Sequence, residues 1–244
     1  MPQVTVFVDY DNVEPGLASA GPVTLAKLFV PLLPGPVIGR NSDVLVRLYG
    51  GWRSQGTLTT GAQRLVPDIR SGSPTVVAAS QTGSTRHLRL AVELADRPMG
   101  STAQLEDTLV RDRSLRKFRA KRGGWAECAD RSSCGLQQFS LLSHSTPCSN
   151  SGCTSRLGHV FVRDEQKMVD TLIVADIAYQ ALSQKVSDVV VVSSDADIWP
   201  GVLLALQAGC TVTHVHPRAG WKTQRSLLNS LGVHMGNLYQ QLSV

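Results

Sequence analysis

Four consecutive valines (189–192) run straight into Ser193-Ser194-Asp195-Ala196-Asp197-Ile198-Trp199-Pro200. An unbroken β-branched run bounded by polar residues predicts a strand buried on both faces, as in a parallel sheet covered by helices. Pro200 suits the first turn of a helix, and 201–208 (GVLLALQA) continues as an apolar helix. Ligands of open α/β sheets bind outside the carboxyl ends of strands, so the turn holding Asp195 and Asp197 is where chemistry is expected. The plainer reading is that Asp197 caps the helix and Asp195 is a solvated turn residue. Two aspartates in one turn make the readings about even.

The same pattern recurs through the chain. Residues 4–8 form a short apolar run ending in Asp9-Tyr10-Asp11-Asn12, a second strand that finishes on carboxylates. Helical spacing predicts a helix over 22–33, stopped by Pro34-Gly35-Pro36. Strands follow at 44–49, ended by Gly50-Gly51, and at 75–79, with a helix over 58–69 between them. Residues 87–94 alternate apolar and charged side chains, which suggests an edge strand. After 159, the pattern predicts a strand at 159–162, a broad apolar helix over 165–183, the valine strand with its helix, and a strand at 211–215. Polar helices near 224–231 and 235–242 close the chain. Alternating strands and helices at both ends predict an α/β fold: a parallel sheet with helices on both faces.

Positions 97–159 break this rhythm and read as an insert between two parts of one core, 1–96 and 160–244. The insert holds ten Lys/Arg against five Asp/Glu, so it carries the chain's whole net charge of +5. Arg116, Lys117 and Arg119 lie in its densest basic run, and Phe118 and Trp125 are placed to stack on bases. This suits an anionic partner, RNA with DNA as a second candidate, although a solvated loop is the ordinary reading of a charge run. Four of the five cysteines are here as well: Cys128, Cys134, Cys148 and Cys153. Their spacing permits a structural zinc site. Three cysteines with His144 or His159, or unpaired surface thiols, are the alternatives. Cys210 reads as a small core residue. No apolar run reaches the ~20 residues a membrane span requires. The first residues enter a strand pattern directly, so a secretory leader is not expected and a cytoplasmic location is.

Asp170 adds a carboxylate on an otherwise apolar helix face, with Lys167 one turn earlier as an ordinary ion-pair partner. If the first strand and the valine strand are neighbours, these carboxylates converge and repel one another unless a divalent cation neutralises them. All-oxygen ligation favours Mg2+ or Mn2+. Asn12 either orients a carboxylate or serves as a turn residue. Lys167 either contacts a phosphate or is simply solvated.

Three stretches resemble the signature motifs of NYN-type nucleases in the PIN-like superfamily: Val6-Phe7-Val8-Asp9-Tyr10-Asp11-Asn12, Lys167-Met168-Val169-Asp170 and Ser193-Ser194-Asp195-Ala196-Asp197-Ile198. The resemblance implies a Rossmann-like (PIN-like) sheet and metal-dependent endoribonuclease activity. It assigns metal ligation to Asp9, Asp170, Asp195 and Asp197, with Ser193 in support. Ser194 and Ile198 stand where the family usually has Gly and Phe, and Asp11 occupies a variable position. A catalytically inactive nucleic-acid- or partner-binding module of the same fold is the competing expectation. A phosphatase or nucleotide-binding Rossmann protein is less favoured because no G-x-G-x-x-G or Walker-type loop follows the first strand.

Overall fold

The computed structural model describes residues 3–40, 42–81, 84–112, 146–147, 152–156 and 163–243. They fall into two compact units, one formed by residues 1–109 with 166–244 and the other by 110–165. In the first unit the strands are β1 (Gln3–Asp9), β2 (Asp43–Tyr49), β3 (Arg53–Ser54), β4 (Thr57–Leu58), β5 (Thr75–Gln81) and β6 (Ser84–Leu94). β7 (Leu109–Asp112) and β8 (Arg163–Gln166) pair as a two-stranded sheet. The last three strands, again in the first unit, are β9 (Asp188–Val192), β10 (Thr211–His216) and β11 (Tyr239–Ser243).

The central sheet has seven strands in the order β11-β10-β9-β1-β2-β6-β5, and every pairing except β5–β6 is parallel. It is an α/β sheet with a core on each face, because strand side chains alternate between faces. Val4, Val6, Val8, Val190 and Val192 join one core with Leu25 and Phe29 of the helix Pro22–Phe29. Phe7, Val189 and Val191 join the other, with Leu172 and Ile173 of the helix Val169–Ala178 and Val202 and Leu206 of the helix Trp199–Gln207. The four valines of β9 are 0–1% exposed. At roughly 1.5 kcal/mol or more for each fully buried valine, this strand is a principal stabiliser of the sheet.

The chain runs from β1 outward to β2 on one side, whereas β9 pairs with β1 on the other. The strand order therefore reverses at β1, opening a crevice between the carboxyl ends of β1 and β9. Among the described residues, no helix is long and apolar enough to cross a membrane.

Several elements differ from the sequence expectation. β6 is not at the edge; it lies between β2 and β5. Its alternation arises because Leu88, Leu90 and Val92 are buried while Arg89 and Glu93 are exposed. The expected helix over 165–183 begins only at Val169, because residues through Gln166 pair in β8, and it continues as a π-turn over Tyr179–Ser183. The final helix stops at Leu238, where the chain turns into β11 and pairs with β10. A short helix, Gly35–Arg40, forms where Pro34-Gly35-Pro36 suggested only a stop.

In the 110–165 unit, an isolated antiparallel bridge joins Pro147 and Arg156, and Cys153 is exposed. Cys128, Cys134, Cys148, Arg116, Lys117, Arg119, Phe118, Trp125, His144, His159 and the strand expected at 159–162 lie outside the described residues.

Candidate carboxylate site at the sheet switch point

Asp9 is the last residue of β1, and β9 delivers Ser193 and the turn that follows it. Because β1 and β9 are paired neighbours, Asp9 and Ser193 meet across the crevice. Ser193 Oγ donates to Asp9 Oδ2 at 2.8 Å and accepts the Asp195 N–H at 2.9 Å. Asp195 Oδ1 in turn accepts the Asp197 N–H at 2.9 Å and caps the 3-10 turn Ala196–Ile198. The capping role thus falls to Asp195 rather than Asp197, and it occupies one of two carboxylate oxygens.

Asp170 enters from the first turn of the helix Val169–Ala178, one residue inside a start set by Met168 in the left-handed conformation (φ 63°). Asp170, Asp195 and Asp197 each present a carboxylate oxygen, all within 4.8 Å of one another. Asp170 and Asp195 are half-buried and Asp197 is exposed, so the cluster faces outward while Asp9 lies deeper at 5% exposed.

Burial pushes the Asp9 carboxyl up to about 6; hydrogen bonds from Ser193 and Asn12 pull against this, and Asp170 and Asp11 add repulsion. Burial also raises Asp170, followed by repulsion from Asp195, Asp197 and Asp11. The groups that bear on Asp170 are all anionic. Such a set is satisfied either by taking up protons or by gathering around a cation. Three carboxylates are the oxygen-only donor set that a hard divalent cation such as Mg2+ takes.

Asn12 is the last residue of the 3-10 turn Tyr10–Asn12, and its side chain acts to lower the pKa of Asp9. Its Oδ1 is buried without a partner, and its backbone carbonyl accepts from Arg218 Nε at 3.3 Å. Lys167 is exposed, and its N–H donates to the Thr108 carbonyl at 3.0 Å.

Asp11 is more involved than its variable motif position suggested. Its Oδ2 accepts from Gln166 Nε2 and from the Gly51 N–H at 3.3 Å, and burial raises its pKa. Gln166 carried no sequence signal. Gly50, read from the sequence only as a strand end, is also a close approach: a Cβ there would lie 2.7 Å from Trp52 and 2.8 Å from Asp11. Trp52 is 3% exposed and its indole donates to the Leu48 carbonyl at 2.6 Å, so it cannot step aside. Gly50→Ala is expected to cost roughly 1–3 kcal/mol through overpacking, read by urea denaturation.

Asp9 also sets a pH dependence. It takes up a proton more readily folded than unfolded, so its contribution favours folding below about 4 and is lost as pH rises through about 6. Burial lowers His214 to about 4, with repulsion from His216 adding to it. That contribution has the opposite sign: it is present above ~6.5 and lost as pH falls. Comparing Asp9→Asn with the parent chain cancels the histidines. In EDTA the variant is expected to be more stable at pH 8 by about 2–3 kcal/mol, an advantage that disappears by pH 4. Equal stability at both pH values would show that Asp9 is not strained by its burial.

Fold and site together define a mostly parallel α/β sheet with a carboxylate cluster at its switch point. Comparison with family models, with curated proteins and with solved structures returned no match.

Proposed function

We propose that the chain is a divalent-metal-dependent endoribonuclease of the NYN type, in the PIN-like superfamily. The observation that carries this reading is the meeting of three separate segments at one crevice. Asp9 comes from β1, Asp170 from a helix start, and Asp195 and Asp197 from the turn after β9. These are the three stretches that resemble the family's motifs. A protein that only bound an anion would gain nothing from clustering carboxylates where the anion sits.

Asp170, Asp195 and Asp197 would hold Mg2+ or Mn2+; Asp9 lies outside that group of three and would act on it through Ser193. The cation supplies a Lewis acid for the phosphate oxygens and lowers the pKa of water. The residues of the chain do the remaining work. Ser193 fixes Asp9 and the Asp195 backbone with one hydroxyl, and Asn12 turns its amide to Asp9. The basic run with Arg116, Lys117 and Arg119 would follow the phosphate backbone. Cys128, Cys134, Cys148 and Cys153 would hold a structural Zn2+ in the same segment.

The test incubates labelled single-stranded RNA and DNA with purified chain in Mn2+ or in EDTA. Cleavage of RNA in Mn2+ that EDTA abolishes is the expected result. Binding without cleavage under both conditions would replace the enzyme with the inactive binding module. Elemental analysis of untagged protein checks the zinc independently.

A further inference from the structure

Among the described residues, three that are not glycine have positive φ: Gln55 at 51°, Lys185 at 51° and Met168 at 63°. Two of them have an ordinary use for it. Gln55 and Gly56 form the two-residue turn between β3 and β4, where both central residues take positive φ. Lys185 directly follows Gln184, the C-cap of the π-turn, where a left-handed residue commonly ends a helix. Met168 stands at the other end of a helix. The residue there is normally extended and carries an oxygen that caps the first turn. Met168 is left-handed (φ 63°, ψ 1°) and makes no side-chain cap. Its side chain is 48% exposed, so burial does not compensate for the backbone.

The chain is fixed on both sides of this residue. Before it, Gln166 Nε2 donates to Asp11 Oδ2, and the Lys167 N–H donates to the Thr108 carbonyl at 3.0 Å. After it, Val169, Leu172 and Ile173 are buried with Phe7 of β1, and the Leu172 N–H donates to the Met168 carbonyl at 2.8 Å. One pair of dihedral angles is left to absorb the change of direction between the two. Bulky side chains disfavour the left-handed region, and a residue stays there only where its surroundings over-determine it. Two positions further on is Asp170, whose carboxylate oxygen lies within 4.8 Å of those of Asp195 and Asp197. With Gln166 and Lys167 held, an extended Met168 would redirect the first turn of the helix, and the Asp170 carboxylate would go with it.

We infer that Met168 is a positioning residue: its left-handed backbone, between the anchored Lys167 and the buried Val169, is the elbow that sets Asp170 against Asp195 and Asp197. The inference rests on the metal reading for its purpose, so its test has one arm in Mn2+ and one in EDTA. The variants separate backbone from side chain. Asparagine lacks the thioether but is enriched in the left-handed region, whereas β-branched valine is nearly excluded from it. Electron paramagnetic resonance measures Mn2+ binding to the full chain. Met168→Asn is expected to keep Kd within about threefold of the parent and to raise Tm by roughly 2–4 °C. Met168→Val is expected to weaken Mn2+ about tenfold or more, at a temperature where circular dichroism shows it folded.

In EDTA at pH 8 the elbow is read through charge repulsion instead. Asp170→Asn is expected to shift Tm upward by about 2–4 °C more in the parent chain than in the Met168→Val background. The difference between backgrounds cancels what the charge does for the helix end itself. Equal Mn2+ affinity in the parent and Met168→Val, or a loss as large in Met168→Asn, overturns the elbow. So does an equal effect of Asp170→Asn in the two backgrounds. If Met168→Val does not fold, Met168→Asn decides alone, and a fall in its Tm or its Mn2+ affinity overturns the elbow. A parent chain that binds no Mn2+ but keeps the EDTA difference removes the metal reading and leaves the elbow standing.

Discussion

Asp195→Asn is expected to reduce metal-dependent RNA cleavage by roughly a thousandfold or more while leaving the chain folded. Asparagine keeps the Oδ1 that accepts the Asp197 N–H, so the cap of the 3-10 turn survives. It keeps the backbone N–H that Ser193 Oγ accepts. What it removes is one negative charge from a group of three whose oxygens lie within 4.8 Å of one another. Loss of a partner one shell out from a metal already costs 10–100-fold, so loss of a charged ligand is expected to exceed that. Initial rates in Mn2+, with circular dichroism to show an unchanged fold, make the comparison. Full activity in a preparation free of contaminating nuclease would remove Asp195 from the site.

The largest effect on stability is expected away from the crevice, at Asp176. This residue lies on the same helix as Asp170 but points at the sheet, and it is 1% exposed. Tyr49 OH donates to its Oδ2 at 2.7 Å, the Met99 N–H donates to its Oδ1 at 2.7 Å, and Arg47 Nη2 stands 3.4 Å from Oδ2. Burial pushes its carboxyl up, and the bonds from Met99 and Tyr49 and the charge of Arg47 hold it down. Asp176→Ala strands the Tyr49 hydroxyl and leaves Arg47, 5% exposed, with only the half-exposed Glu93 opposite its charge. Breaking a buried pair in this way costs about 3 kcal/mol. In a unit of this size that lowers Tm by roughly 6–12 °C, measured by thermal unfolding. A fall of under ~2 °C would mean that the network is locally replaceable. Tyr49 is paired in register with Asp9, so the same network ties the Asp170 helix to the strands of the site.

What the sequence made legible was whatever local chemistry dictates. Four adjacent valines admit little besides a strand buried on both faces. β6 shows the limit of that reasoning. Its alternation correctly marks one wet face, but alternation says nothing about lateral position, and β5 flanks it instead of solvent. β8, with the sequence Arg-Asp-Glu-Gln, has no strand character of its own and exists because β7 pairs with it. Tyr239–Ser243 is drawn from a helical pattern into the sheet by β10 in the same way. At the site, Asp9, Asp170, Asp195 and Asp197 could be picked out singly. The link made by Ser193 and the contact of Gln166 with Asp11 join residues more than 150 positions apart, and no window of sequence contains them.

Asp9 ends the central strand of the seven and Ser193 follows directly on a strand beside it, each strand hydrogen-bonded to a neighbour on both sides. Edges and termini fray first when a protein breathes, whereas central strands open only when the whole unit does. Asp9 is therefore anchored to the part of the molecule that moves least, whereas Asp195 and Asp197 sit on the turn beyond β9 and Asp170 on a helix start. A motion that makes or breaks the cluster without unfolding the sheet is a motion of that helix start or of the exposed turn after β9.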